Sequence, residues 1–153
     1  MAVGKMISPS VEPLPAVPLK MARRLRTLNK TERMNNISDI EIRRDAEQMV
    51  LDLLSAINEK DFATAREFVW DNFTFEGVLG RRDGADAYFA DLPKMNMNYS
   101  VLQSFARGLD VCVLSNLRMG DKKEVFCCSW YKLRQGKIAS LRVVFDPRPL
   151  LVN

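Results

Sequence analysis

Few residues in this chain could carry chemistry. Its 153 residues include no histidine, which removes the commonest general acid–base and the commonest metal ligand. Ser-His-Asp, Cys-His and histidine-based zinc sites are thereby excluded. The cysteines, Cys112, Cys127 and Cys128, form no CxxC pair, so no metal site is expected. There is no P-loop and no GxGxxG, so no nucleotide, flavin or other cofactor is expected either. An odd, low cysteine count suits a reducing, cytoplasmic setting better than a secreted disulfide scaffold. Adjacent Cys127 and Cys128 on a strand would point to opposite faces and read as small hydrophobes.

The remaining candidates are Arg142, Asp146 and Asp110, which share one strand face in the register derived below. They read as surface or interfacial ion pairs; only the opposite register would turn Arg142 inward as an oxyanion clamp. Tyr88 and Tyr99 can donate hydrogen bonds to a carbonyl or serve as core. Glu76 alternates away from Phe75 and reads as solvated. Asp71 and Asp83 read as strand-end and helix-cap residues. Met95, Met97 and Met119 are adaptable lining for an apolar ligand, or core.

The elements that must position these residues begin near 38. A length of 153 residues suits one domain with a self-sufficient core. Residues 1–37 hold four of the seven prolines, none of the aromatics and a net charge of +5, a composition of disorder. A short basic amphipathic helix over 19–30 is the alternative, with a polyanion contact as its use. No apolar run is long enough to span a membrane, and the first twenty residues lack a secretory apolar core. Residues 38–153 are expected to form the folded domain.

Ser38-Asp39-Ile40-Glu41 is a capping-box pattern. Ile42, Ala46, Met49, Val50, Leu53, Leu54 and Ile57 follow at helical spacing. Asp61 can cap a second helix bearing Phe62 and Ala65, and Asp83 a third bearing Tyr88, Phe89 and Leu92 that Pro93 ends. Residues 72–77 alternate as a strand. Four further strands follow, from Met95 to Val101, then 109–119, 124–134 and 137–146, with two-residue turns at Gly120-Asp121 and Gln135-Gly136. Three helices with one early strand, followed by an antiparallel meander, make an α+β fold.

These turns imply a register. One face carries Val111, Val113, Leu117, Met119, Phe126, Cys128, Trp130, Leu141, Val143 and Phe145, and should lie under the helices. The other carries Asp110, Cys112, Leu114, Asn116, Arg118, Val125, Cys127, Ser129, Tyr131, Leu133, Ile138, Ser140, Arg142, Val144 and Asp146. That mixed face is too apolar for full exposure, so a homodimer through it is expected. A slip of one residue would exchange the two sets.

Three segments resemble the nuclear transport factor 2-like superfamily: Ala56-Ile57-Asn58-Glu59-Lys60-Asp61-Phe62, Phe73-Thr74-Phe75-Glu76-Gly77 and Gly84-Ala85-Asp86-Ala87-Tyr88-Phe89. The ending Gly136-Lys137-Ile138-Ala139-Ser140-Leu141-Arg142-Val143-Val144-Phe145-Asp146-Pro147 resembles its SnoaL-like polyketide cyclase and limonene epoxide hydrolase branches. The resemblance covers about 38–150. It implies a cone-like fold, a curved sheet around helices, a deep apolar pocket, and dimers through the outer sheet face. It also implies where catalytic groups would stand. The ketosteroid isomerase base falls on Gly77. The epoxide hydrolase arginine and aspartate fall on Leu117 and Met119, and its second aspartate on Val143. Each of these positions is without a titratable group here, and the histidine of cyclase and dehydratase members has no counterpart.

Catalytic residues are therefore left unassigned. The leading reading is a binder of a small apolar molecule, in a pocket lined by Phe75, Tyr88, Tyr99, Leu117, Met119, Phe126, Trp130, Leu141, Val143 and Phe145. The second is an isomerase, hydrolase or cyclase acting on a ketone or epoxide through Tyr, Asp or Arg. The third is a protein-interaction module whose basic tail recruits an acidic partner. Neither a membrane nor a nucleic acid enters the leading reading.

Overall fold

The computed structural model describes residues 30–151. Of the tail expected to be disordered over 1–37, residues 1–29, with all but the last residue of the basic helix expected over 19–30, lie outside the described residues; 30–37 are helical. Among the described residues the chain divides into two units between Asn36 and Ile37. The described part of the first is the opening of helix α1 (Lys30–Asn58). α1 starts well before the Ser38–Glu41 box, which is therefore internal to the helix rather than its cap. No glycine or proline interrupts Lys30–Ile37, and Glu32 in the first turn suits the positive helix end.

In the second unit α1 buries Ala46, Val50, Leu53, Leu54 and Ile57, the expected apolar stripe with Met49 half-buried and Ile42 exposed. Asp61 caps α2 (Phe62–Glu67), accepting from the Thr64 amide at 3.1 Å. Strand β1 (Val69–Gly77) pairs antiparallel with β2 (Gly80–Asp83), an element absent from the sequence reading because its four residues are all exposed. Helix α3 (Ala85–Met95) is capped by Gly84, not by Asp83. Gly84 has φ 91° and donates its amide to Phe73 O at 2.8 Å, a turn that an L side chain would strain. Asp83 instead pairs with Arg81. Pro93 lies inside α3 rather than ending it; so near the C-terminus it removes a single helical hydrogen bond. Asn96, at φ 43°, ends the helix in the left-handed region.

Strands β3 (Met97–Arg107), β4 (Asp110–Met119), β5 (Val125–Arg134) and β6 (Lys137–Phe145) form the expected meander, and α4 (Arg148–Leu151) closes the described chain. The six strands make one curved, unclosed sheet in the order β2-β1-β6-β5-β4-β3, in which only β1 and β6 run parallel. This is the α+β, cone-like architecture. Extra residues at Leu102 in β3 and Ala139 in β6 break the ladders, and such bulges bend and twist strands.

The register corrects the expected faces along β5 and at Ile138 of β6. Arg134 pairs with Lys137 as the Gln135-Gly136 turn requires, but the Ala139 bulge then shifts the ladder so that Trp130 faces Arg142 and Tyr131 faces Leu141. The β4–β5 connection runs from 120 to 124 rather than two residues, so Val111 also faces Tyr131. The two shifts cancel between β4 and β6, where Val111, Val113, Leu117, Leu141 and Val143 point inward as expected. On β5 they invert every side chain. Val125, Cys127, Ser129, Tyr131 and Leu133 are buried, whereas Phe126 and Trp130 are exposed and Cys128 is partly exposed. Ile138, before the bulge, also turns inward.

Candidate functional site

A cavity of about 120 Å³ lies between α3, the β1–β2 hairpin and the inner sheet face. Tyr88 anchors one wall. Its ring packs against Phe73 at 5.2 Å, Phe75 at 5.0 Å and Phe89 at 5.5 Å between centroids. Tyr99 is held by α1: Asn58 accepts from its amide at 2.7 Å and donates to its carbonyl at 2.8 Å. Thus the carboxamide near the end of α1 secures edge strand β3 where it meets the cavity.

Of the residues expected to line a pocket, Phe75, Tyr88, Tyr99, Leu117, Met119, Val143 and Phe145 do line this cavity. Leu141 is inward but belongs to the core beneath it. Phe126 and Trp130 are on the opposite face, for the register reason given above. Met95 and Met97 line it as well. Sequence reasoning missed Val78, Leu79, Gly80, Arg82 and Asp91, which also contribute. A signal existed for Asp91, three residues beyond Tyr88 and so on the same helix face. Val78-Leu79, an apolar pair between two glycines, was the trace of the hairpin tip.

The positions where the resemblance expected catalytic groups, Gly77, Leu117, Met119 and Val143, all stand on the cavity wall. A Cβ added at Gly77 would come within 2.7 Å of Phe75 Cζ. The Phe75 ring therefore occupies the space that a side chain at 77 would need. What remains inside is two phenols. Burial pushes the Tyr88 and Tyr99 hydroxyls well above the ordinary tyrosine range, so they are neutral donors rather than bases. Among the described residues the Tyr99 hydroxyl has the Met97 sulfur as its hydrogen-bond partner, at 3.6 Å.

The charges sit at the mouth. Arg82 binds Asp91 at 2.6 Å, and this pairing holds the Asp91 carboxyl below the usual range. An ionised, paired carboxylate is a poor proton acceptor at neutral pH. Deeper in the inner face Ser115 and Cys127 meet at 3.1 Å, and the buried Ser129 hydroxyl lies beside the Cys127 and Tyr131 side chains; none of these lines the cavity. Among the described residues no cluster of three or more Cys, Asp or Glu could hold a metal.

The other polar candidates lie outside. Arg142 pairs with Glu76 at 2.8 Å and Asp146 with Arg148 at 2.6 Å, so the two do not pair with each other. Asp110 accepts from the Trp130 indole at 2.9 Å. No described helix is long and apolar enough to cross a membrane.

A curved sheet over helices, with a cavity between α3, the β1–β2 hairpin and the inner sheet face, defines a class of protein. The SnoaL-like domain family model matches residues 50–141. A structure of an NTF2-like protein of unknown function from Cytophaga hutchinsonii is 37% identical, covers 70% of this chain and 95% of its own, and superposes with a TM-score of 0.68. The chain therefore belongs to the SnoaL-like family of NTF2-like proteins. Two more distant structures share the fold. An LEH-like epoxide hydrolase from M. tuberculosis is 22% identical over 69% of this chain and 86% of its own, with a TM-score of 0.63. The epoxide hydrolase/cyclase-like enzyme SalBIII, of pyran ring formation in salinomycin, is 20% identical over 69% of this chain and 94% of its own, with a TM-score of 0.61. No curated protein matches the sequence.

Proposed function

We propose that this protein binds a small apolar molecule in the cavity beside Tyr88 and Tyr99 and performs no acid–base catalysis on it. One observation carries the reading: Gly77, Leu117, Met119 and Val143, the positions assigned to catalysis by resemblance, line the cavity without a titratable group among them. Apolar walls supply the binding free energy, and the two phenols supply orientation to a neutral acceptor such as a ketone, ether or epoxide oxygen. The enzyme reading, through Tyr, Asp or Arg, would have Asp91 as its carboxylate at the mouth, and the partnership of Asp91 with Arg82 opposes proton transfer. Three free thiols fit a reducing, cytoplasmic setting.

The reading includes a homodimer through the outer sheet face. Phe105, Phe126, Trp130 and Val144 are exposed there, and a second copy would remove this apolar surface from water. Native mass spectrometry of freshly purified protein tests both parts. A dimer that releases a small molecule on activation is the expected result. Histidine-free turnover of a ketone or epoxide, abolished by Tyr88→Phe, would overturn the binder reading. A monomer at micromolar concentration would overturn the dimer.

A further inference from the structure

We propose that the apolar cavity continues, past three movable side chains, into a lysine-lined outer cavity, and that the joined slot takes an apolar acid with an aryl-sized body and an anionic head. The proposal rests on the binding reading above and adds the ligand's charge and length. The outer cavity, of about 740 Å³, lies against the other side of Leu79, Met95 and Met119, which line both spaces. These residues stand at the hairpin tip and at the ends of α3 and β4. The partition is therefore made by side chains. Two of them are unbranched thioethers, which change rotamer readily.

Size makes the connection useful. An inner space of about 120 Å³ holds at most a benzene-sized group, given that a ~150 Å³ apolar cavity accepts benzene. Anything longer must extend through the partition. The wall it then meets carries Lys94, Lys122 and Lys123 against one carboxylate, Asp121. Among the described residues, no carboxylate lies within ion-pair distance of Lys122 or Lys123. Lys94 is 3.6 Å from Asp91, whose other oxygen is bound by Arg82 at 2.6 Å. A concave wall with excess positive charge concentrates an anion, whereas the inner cavity has the mutually paired Arg82 and Asp91 at its mouth and neutral phenols beyond them. The slot is thus polarised, apolar body inward and anion outward.

The test compares 4-phenylbutanoate with its neutral amide, by titration calorimetry on the full chain. The acid is expected to bind at least ten-fold more tightly at low salt, with the gap narrowing as salt rises. The double substitution Lys122→Gln, Lys123→Gln, at exposed positions, should bring the acid to the affinity of the amide and leave the amide unchanged. Val143→Phe should abolish binding of both. In the unaltered protein, nuclear Overhauser contacts from the aryl protons to Tyr99 and the Met119 methyl should place the aryl body in the inner cavity without recourse to a variant. Equal affinities for acid and amide would overturn the anionic head and leave the apolar pocket standing. Acid binding that survives Val143→Phe, or lacks those contacts, would overturn the continuous slot. Failure of both compounds to bind would overturn the pocket reading and this proposal with it.

Discussion

The two faces of the sheet use similar residues to opposite ends. Inside, Cys127 lies against Ser115 and Tyr131 is 1% exposed. Outside, Cys112 and Cys128 meet at 3.4 Å between rings of which Trp130 is 40% and Phe126 56% exposed. The inner polar atoms are neutral hydroxyls and thiols, as burial without countercharge demands. The outer ones are ions paired in water, such as Arg142 with Glu76. Both faces hold cysteines and large aromatics, so residue type does not decide the side on β5; register does.

The sharpest way to break this comparison is to truncate neighbours on β5. Tyr131→Ala should cost roughly 3–5 kcal/mol, the range for emptying a large buried aromatic site. Trp130→Ala, one residue away, should cost about 1 kcal/mol or less in the monomer. Urea unfolding of both variants checks the order, and the reverse order would restore the register implied by two-residue turns. Should the outer face dimerise, Trp130→Ala also shifts the oligomer equilibrium, which sedimentation would detect.

Alkaline titration sharpens the inner side. All three tyrosines of the chain, Tyr88, Tyr99 and Tyr131, are buried, and burial raises each hydroxyl above its ordinary value. Below pH 10 both folded and unfolded states hold the phenolic proton, and stability is unaffected. Above it the unfolded chain releases protons that the folded one retains, so stability falls as pH rises. The loss is about 1.4 kcal/mol per tyrosine per pH unit while the folded groups stay neutral. Absorbance at 295 nm should therefore show no tyrosinate in the native protein, then all three together at a cooperative alkaline transition. A gradual single-tyrosine titration near pH 10 would mean that a phenol is exposed to water.

Much of this inner face was legible in the sequence. The 3.6-residue stripe of α1, the Asp61 cap and the alternation of β4 and β6 each have one strongly apolar side, so pattern and burial agree. β5 was not legible, because Phe126 and Trp130 alternate with Val125, Tyr131 and Leu133, and either set could fill a core. Its side is decided by an extra residue at Ala139 and a loop of five residues, and neither leaves a compositional mark. The hairpin strand β2 escaped because Gly80-Arg81-Arg82-Asp83 has no apolar side. The site followed the same division. Lining residues on regular strands were found, whereas Val78, Leu79, Arg82 and Asp91, brought in by the hairpin and its ion pair, were not.

A smaller effect separates the cavity from the element that holds it. Asn58→Ala removes both hydrogen bonds to the Tyr99 backbone and should cost about 1–3 kcal/mol, since the freed groups are partly buried. Asn58→Asp keeps the acceptor for the Tyr99 amide and loses the donor, so its cost should be intermediate. Denaturant midpoints of the three proteins check the order. Equal losses for Ala and Asp would mean that the donor to the Tyr99 carbonyl dominates.

The mildest test returns to the thiols, and its effect is on rate. Alkylation proceeds through the thiolate. Burial and the neighbouring Cys128 push the Cys112 thiol up to about 11, which leaves roughly one thiolate in a thousand at pH 8. Cys112 should thus react with iodoacetamide roughly a hundred-fold more slowly than a free cysteine, and its rate should rise about ten-fold per pH unit between 8 and 10. Cys127, fully buried on the other face, should stay unmodified until the protein unfolds. Peptide mapping of partially labelled native protein distinguishes the sites. Labelling of Cys127 before Cys112 would exchange the two faces of β5, and protection of Cys112 that disappears on dilution would trace its slowness to a second copy on the outer face.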